Sequence, residues 1–264
     1  MRRGSSSNTI ETAYVVVERD IEIATADGTA DGLLFEPQSG NRWPGILHLT
    51  DIGGIRQSQR GMARRLAGQG YIVLLPNVFY RTGRPPLFDF VPQYPFKGDE
   101  RTSKRFIELA RPLTPDAMER DGLDYVRCLE SQPSISEGGL GIVGYSITGS
   151  MVLRTAAACP EQIRAAALFH AGGLYNDSAM SPHLLLPQIK AQLYFGHATD
   201  DHMMRADAIE GLNAALVAWG GHFDSEVYKD ACHGWTVSDG PVYHQLQAQR
   251  AFDKLSEVFS KTLR

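Results

Sequence analysis

Cysteine is scarce in this sequence. Its 264 residues include three cysteines, Cys128, Cys159 and Cys232, and no two of them form a CxxC pair. An odd number of cysteines without such pairs argues against a disulfide framework and against a zinc knuckle. Unpaired thiols are typical of a reducing compartment, so we expect a cytoplasmic protein.

Long apolar segments and clustered charges are also missing. The longest apolar segments, at 71–75 and 165–169, are far too short to cross a bilayer. The net charge of −4 is spread without long runs of one sign, whereas a nucleic-acid surface needs clustered Lys and Arg. We therefore expect neither a membrane nor a nucleic acid as a partner. Residues 1–12 are basic and serine-rich without an apolar centre, which indicates a disordered lead-in rather than a signal peptide.

Cofactor and metal motifs are not evident either. No Walker pattern accompanies the glycines at 53–54 and 196, and the chain has no HExxH pair. The segment 197–202 contains two histidines and two aspartates, which are fair metal ligands, but no second ligand pair supports a metal centre. We expect no cofactor and no metal.

What the sequence does contain is an alternation of apolar strands and amphipathic helices over residues 13–264, which we predict to form one domain. The predicted strands are 14–23, 32–36, 45–50, 71–75, 140–143, 165–170, 191–195 and 223–228. The predicted helices are 59–69, 115–130, 147–158, 205–219 and 241–262, and 77–99 is predicted as a long surface loop. This order favours an α/β fold, with a mostly parallel twisted sheet of about eight strands, helices on both faces and an antiparallel N-terminal edge.

Ser146 is the first candidate for chemistry. It lies in the segment Gly-Tyr-Ser-Ile-Thr-Gly at 144–149, which follows a predicted strand and opens a helix, as a nucleophile elbow requires. Thr148 stands where the usual second glycine is expected, and Gly149 comes one residue late. A serine after a buried strand is also a common helix N-cap, so the segment alone leaves both interpretations open.

The order of the remaining polar residues favours catalysis. An aspartate, Asp200 or Asp201, follows the strand 191–195, and His233 follows the strand 223–228. Serine, acid and histidine at successive strand ends form a triad order known for hydrolytic enzymes. His233 would take the proton of the serine hydroxyl, and the aspartate would orient the imidazole. The backbone N–H groups of Ile147 and Ile52 are the expected oxyanion donors.

Four segments together resemble the dienelactone hydrolase family, over most of the chain from about Val15 onward. Residues 49–55 resemble its Q-E-I-F-G loop, 70–81 resemble its G-Y-x-x-x-x-P-D-L-Y-x-R segment, 141–146 resemble its G-x-V-G-Y-C elbow, and 233–235 resemble its H-G-F loop. The resemblance implies the α/β-hydrolase fold and hydrolysis of lactones or other small esters that often bear a carboxylate. The family's D-x-x-[V/M] pattern favours Asp201 as the acid.

The sequence departs from that family at three points. Ser146 replaces the usual nucleophilic cysteine, either as a natural serine variant or as an engineered exchange. Asp51 replaces the family's glutamate, and we expect it to pair with Arg81. The family's second arginine for a substrate carboxylate has no counterpart, because Thr-Val-Ser stands at 236–238. Arg81 would then be the remaining anchor for an anionic group.

The substrate-binding prediction includes Asp51, Arg81, Tyr145 and Trp235. A set of loop aromatics either pins the 77–99 loop or covers the substrate: Tyr80, Phe88, Phe90, Tyr94 and Phe96. His48 and His170 lie inside apolar strands and are expected to be structural. We predict an ester or lactone hydrolase acting on a small molecule as a monomer or small homo-oligomer. The alternatives are a catalytically impaired ligand-binding protein and an acyltransferase with the same triad.

Overall fold

The computed structural model describes residues 14–90 and 99–264. Its described strands are β1 Val16–Thr25, β2 Gly28–Pro37, β3 Trp43–Leu49, β4 Ile72–Pro76, β5 Ile135–Tyr145, β6 Ile163–Phe169, β7 Gln192–Asp200 and β8 Phe223–Cys232. They form an eight-stranded sheet in the order β1-β2-β4-β3-β5-β6-β7-β8. Most neighbouring strands pair in parallel, which confirms the predicted mostly parallel sheet.

The N-terminal edge of the sheet is antiparallel. β1 pairs with β2 antiparallel from Val16 opposite Pro37 to Thr25 opposite Gly28, and β2 pairs antiparallel with β4. The pairs from β3–β4 onward to β7–β8 are parallel. Parallel strands need crossover connections, which the helices supply. As a result, the carboxyl ends of β3, β5, β6, β7 and β8 lie along one edge of the sheet.

Helices cover both faces of the sheet. The described α-helices are α1 Gln57–Gly68, α2 Glu100–Ala110, α3 Pro115–Glu130, α4 Gly149–Ala158, α5 Ala206–Trp219 and α6 Gln245–Leu263. Successive strand residues point to opposite faces. Ile142 accordingly packs in the core with α3, α4 and α5, while Val143 packs in the core with α1 and α6. No helix in the described ranges is both long and apolar enough to cross a membrane.

The glycines at 139, 141 and 144 have the spacing of a dinucleotide-binding fingerprint, but all three lie inside β5. Such a fingerprint requires its glycines on the turn between a strand and a helix. A Cβ on Gly141 would lie 3.0 Å from Phe259 Cε1, so this glycine allows α6 to pack closely on the strand. The spacing therefore reflects packing of the sheet against a helix.

Thr114 caps α3, because its side chain accepts a hydrogen bond from Ala117 N at 3.2 Å. Two other parts of the chain differ from the sequence-based prediction. α2 was not predicted from the sequence. It begins after Asp99, whose side chain accepts a hydrogen bond from Thr102 N at 3.3 Å. The segment predicted as the loop 77–99 begins buried, because Phe79 is only 1% exposed. Residues 1–12 and the aromatics Tyr94 and Phe96 lie outside the described residues.

Candidate active site

Ser146 lies on a sharp turn where β5 ends and a short 3₁₀ turn, Ser146–Thr148, leads into α4. Its φ of +57° is in the left-handed region, which a residue with a Cβ adopts at a cost of roughly 1–2 kcal/mol. Backbone strain of this kind persists only where the surrounding structure enforces it, and it is concentrated at functional sites. The backbone therefore has the geometry of a nucleophile elbow.

Small residues flank the turn for steric reasons. A Cβ on Gly144 would lie 2.5 Å from Val152 Cγ2, and a Cβ on Gly149 would collide with the Cβ of Ala171. Because these approaches are shorter than van der Waals contact, both positions need glycine. The second glycine of the elbow thus acts at Gly149, one residue later than the usual motif places it.

Thr148 contributes hydrogen bonds that a glycine could not make. Its Oγ1 accepts a hydrogen bond from Tyr145 N at 3.0 Å, and its one proton can go to Tyr145 O at 3.0 Å or to Leu49 O at 3.3 Å. The side chain is buried, and a buried N–H without a partner would destabilise the fold. Thr148 therefore holds the backbone of Tyr145 beside the end of β3, and this departure from the motif does not disrupt the elbow.

The structure brings the three predicted catalytic side chains into one hydrogen-bonded chain. Ser146 Oγ lies 2.8 Å from His233 Nε2, and His233 Nδ1 lies 2.8 and 2.9 Å from the two carboxylate oxygens of Asp201. Asp201 follows the last residue of β7, and His233 follows the last residue of β8. These are adjacent parallel strands, so the two loops meet beside the elbow.

The choice between the two aspartates is decided by this geometry. The side chain of Asp201 is 1% exposed and also accepts a hydrogen bond from Met203 N at 2.8 Å. Asp200 is exposed, and its contact with the histidine is made by its backbone oxygen, which accepts from His233 N at 3.2 Å. Asp201 is therefore the carboxylate that is hydrogen-bonded to the imidazole.

A cavity of about 290 Å³ opens beside Ser146 and His233. Both predicted oxyanion residues, Ile52 and Ile147, lie on its wall. The other described wall residues come from α2 and from the loop after Asp201: Phe106, Ile107, Ala110, His202 and Met203. This wall was not predicted from the sequence because α2 was not predicted.

A second residue missed from the sequence is Arg56. Its guanidinium donates to Asp51 from Nη1 at 2.5 Å and from Nη2 at 2.9 Å, and to Asp239 from Nε at 3.0 Å and from Nη2 at 3.2 Å. Nη1 also donates to Gly54 O at 3.2 Å. All five N–H groups of the guanidinium are thus engaged. Burial opposes the charge on Arg56, but Asp51 and Asp239 outweigh it and raise the pKa of the guanidinium above its ordinary value.

The prediction that Arg81 pairs with Asp51 is wrong, and Arg81 is not among the residues that line the cavity beside Ser146. Arg81 donates to Asp121 from Nη1 at 2.7 Å and from Nη2 at 2.8 Å, and to Asp27 from Nη2 at 2.5 Å. It also lies over the ring of Tyr80, 4.5 Å from its centroid. The buried carboxylate of Asp121 needs a cation, and Arg81 supplies it. Asp51 instead pairs with Arg56 and accepts from Gly53 N at 3.1 Å.

Tyr145 and Trp235 do not line the cavity beside Ser146, so their substrate-binding assignments are also wrong. Tyr145 is 2% exposed, and Trp235 is fully buried. Both belong to the core under α1 and α6, where Tyr145 stacks on Phe169 with centroids 5.7 Å apart and Trp235 packs 4.9 Å from Tyr228. Side chains alternate between the two faces along β5, and that of Tyr145 lies on the face covered by α1 and α6, opposite the face covered by α4.

His48 and His170, the two histidines predicted to be structural, are buried and are each hydrogen-bonded through one ring nitrogen. His48 Nε2 lies 2.8 Å from Gln59 Oε1, and burial lowers the pKa of His48 to about 4. His170 Nε2 lies 2.8 Å from Thr236 Oγ1, and burial lowers the pKa of His170 well below its ordinary value. Nowhere in 14–90 or 99–264 do His, Cys, Asp and Glu side chains form a group suited to a metal ion.

Comparison with known proteins agrees with this architecture. The carboxymethylenebutenolidase of Pseudomonas putida is 26% identical over 252 residues, which cover 91% of this chain and 97% of that protein. A protein of Escherichia coli (strain K12), provisionally named carboxymethylenebutenolidase, is 24% identical over 228 residues, covering 85% of this chain and 79% of that one. The crystal structure of a provisionally named dienelactone hydrolase from Klebsiella pneumoniae subsp. pneumoniae has a TM-score of 0.80 at 21% identity, covering 93% of this chain and 99% of that one. The family model of the dienelactone hydrolases matches residues 30–263, and the chain belongs to the dienelactone hydrolase family.

Proposed function

We propose that this hydrolase cleaves carboxylic esters or lactones through an acyl-enzyme on Ser146. The observation that carries the proposal is the chain of hydrogen bonds from Ser146 Oγ through His233 to the buried carboxylate of Asp201. A serine hydroxyl becomes an effective nucleophile only when a positioned base can take its proton. The strained elbow, the cavity and the family membership are consistent with that chemistry.

The reaction would proceed in two halves. Ser146 Oγ attacks the carbonyl carbon of the substrate while its proton passes to His233 Nε2. The resulting oxyanion is held by the N–H groups of Ile52 and Ile147. Collapse breaks the bond to the alcohol oxygen, which takes the proton from His233, and the acyl group stays on Ser146. Water then attacks the acyl-enzyme with the same base, and the acid product leaves.

Serine instead of cysteine at position 146 is compatible with this scheme. A hydroxyl depends more on its base than a thiol does, and Ser146 Oγ lies within direct hydrogen-bonding distance of His233. We therefore propose that Ser146 is a working nucleophile. Because the Pseudomonas putida and Escherichia coli relatives are named as carboxymethylenebutenolidases, a first substrate screen should include lactones as well as simple esters.

The test is turnover of p-nitrophenyl acetate and of small lactones by the unmodified protein and by Ser146→Ala. We expect Ser146→Ala to lower kcat by about a thousandfold or more, because the triad is lost while the oxyanion donors remain. Ser131→Ala is the matched control, since Ser131 caps the distant end of α3. An unchanged rate in Ser146→Ala would contradict the assignment of Ser146 as the nucleophile. The formation of new esters from an added alcohol would indicate acyl transfer instead of hydrolysis.

A further inference from the structure

The cavity beside Ser146 is walled mainly by hydrocarbon. Four of its described wall residues are aliphatic side chains of Ile52, Ile107, Ala110 and Ile147, and Phe106 and Met203 add an aromatic ring and a thioether. The polar side-chain groups at the described wall are the Ser146 hydroxyl and the imidazoles of His202 and His233. Within the described ranges, no lysine or arginine lines this cavity.

Arg56 and Arg81, the two arginines considered as anchors for an anionic group, already form ion pairs within the protein. Arg81 makes its ion pairs with Asp27 and Asp121. Arg56 borders a neighbouring cavity of about 350 Å³ that shares Ile52 and Phe106 with the first one, but its donors are occupied by Asp51, Asp239 and Gly54 O. A substrate carboxylate would have to displace one of these partners to pair with Arg56 or Arg81.

Among the described wall residues, an anionic substrate group would therefore find no fixed positive partner in this cavity. Burying an unpaired carboxylate against hydrocarbon is strongly unfavourable, whereas an alkyl group gains from leaving water. The volume corresponds to roughly ten water molecules of liquid, which suits a short acyl chain rather than a large one. The acyl group is also the part of the substrate that stays on Ser146 through both halves of the reaction.

We propose that the cavity selects uncharged esters with a short apolar acyl group, with α2 as its selectivity wall, and that it disfavours carboxylate-bearing acyl groups. The inference rests on the proposed ester-hydrolase function and narrows it. Ile107 and Ala110 on α2 are the positions at which the polarity of the wall can be changed, and Ile107 is 67% exposed, so it tolerates a longer polar side chain.

The experiment compares two esters of the same branching, ethyl 4-methylpentanoate and monoethyl succinate, by following ethanol release at about pH 8, above the range in which imidazole ordinarily titrates. We expect kcat/KM for the neutral ester to exceed that for the anionic ester by about a hundredfold or more. Rates within about threefold of each other, or a preference for monoethyl succinate, would overturn the substrate class while leaving ester hydrolysis intact. Failure to cleave either ester, together with failure of a serine-reactive phosphonate to label Ser146, would instead contradict the proposed function.

A charge placed on the wall gives a second readout. Ile107→Lys should narrow the preference for the neutral ester by about tenfold or more, since the ammonium would offer the carboxylate a partner. Val217→Lys is the matched control, because Val217 lies on α5, is 70% exposed and does not line the cavity. If both variants leave the ratio of the two kcat/KM values unchanged, α2 does not contact the acyl group and the proposed selectivity wall is wrong.

Discussion

Arg56 joins the two loops that flank the candidate active site. Asp51 precedes the oxyanion candidate Ile52, and Asp239 lies six positions after His233 in the chain. The guanidinium makes paired hydrogen bonds to each of these carboxylates. Paired bonds of this kind fix the orientation of both groups as well as their distance. We therefore expect Arg56→Met to loosen both loops.

The magnitude follows from burial. The side chain of Asp51 is 14% exposed and that of Arg56 is 28% exposed, so the solvent screens their interaction only partly. Removing one partner of a fully buried pair costs about 3–5 kcal/mol, and an exposed pair contributes about 0–1 kcal/mol. Asp239 is 43% exposed and belongs to the second class. For Arg56→Met we expect a loss of about 2–3 kcal/mol in the free energy of unfolding.

A double-mutant cycle measures the pair directly. Urea unfolding of the unmodified protein, Arg56→Met, Asp51→Asn and the double variant should give a coupling free energy of about 1.5–2 kcal/mol. Arg56→Lys keeps the charge without the planar fork and should fall between the unmodified protein and Arg56→Met. The kcat/KM of Arg56→Met should also fall, because Asp51 orients the loop that carries Ile52. A coupling below about 0.5 kcal/mol would refute the role assigned to Arg56.

Three further outcomes are expected. Thr148→Val should lower the free energy of unfolding by about 1–3 kcal/mol in urea titrations, because Tyr145 N loses its buried acceptor. Burial lowers the pKa of His48 and His197 to about 4 from an ordinary 6.5, so between pH 4 and pH 6.5 the unfolded chain binds more protons than the folded protein does. The free energy of unfolding should therefore be highest above pH 6.5 and fall toward pH 4, by about 2 kcal/mol per histidine at pH 5. In urea titrations at pH 7 and pH 5, His197→Phe should show a loss between the two pH values that is smaller by the share of His197. Asp201→Asn should lower kcat on p-nitrophenyl acetate by about a hundredfold or more, whereas Asp200→Asn should leave it nearly unchanged.

The sheet and most helices could be predicted from local patterns. Buried parallel strands are short apolar runs, and the helices between them have a regular apolar face, as at Pro115–Glu130 with its Thr114 cap. α2 was missed because its pattern is mixed, with Ile107 exposed and Thr102 buried. Propensity and periodicity carry little information when exposed and buried positions exchange their usual residue types.

The site was predictable where chain order carries the information. Ser146, Asp201 and His233 each follow a strand, and the parallel sheet brings those strand ends together. Pairing between charges is different, because nothing local shows that Arg81 meets Asp121, 40 positions along the chain, or that Arg56 meets Asp239, 183 positions along. These partners are fixed by the tertiary fold.

The assignments of Tyr145 and Trp235 failed for another reason. Both are neighbours of catalytic candidates in the sequence, and proximity in the sequence suggested a shared pocket. Side chains of successive strand residues point to opposite faces, so a neighbour of the nucleophile on β5 faces the core under α1 and α6. Strand parity therefore predicts the environment of Tyr145 better than adjacency does, whereas Trp235 lies in the turn after β8 and is buried by tertiary packing.

Covalent labelling of Ser146 tests the central claim most directly. The protein is treated with a serine-reactive alkyl phosphonate, and the modified residue is located by peptide mass spectrometry. We expect one equivalent to attach at Ser146, at a rate that falls by about a hundredfold or more in Asp201→Asn, and no labelling in Ser146→Ala. Two results would contradict Ser146 as the nucleophile: a protein that cleaves esters but carries the phosphonate on another residue, or a correctly folded protein in which Ser146 stays unlabelled.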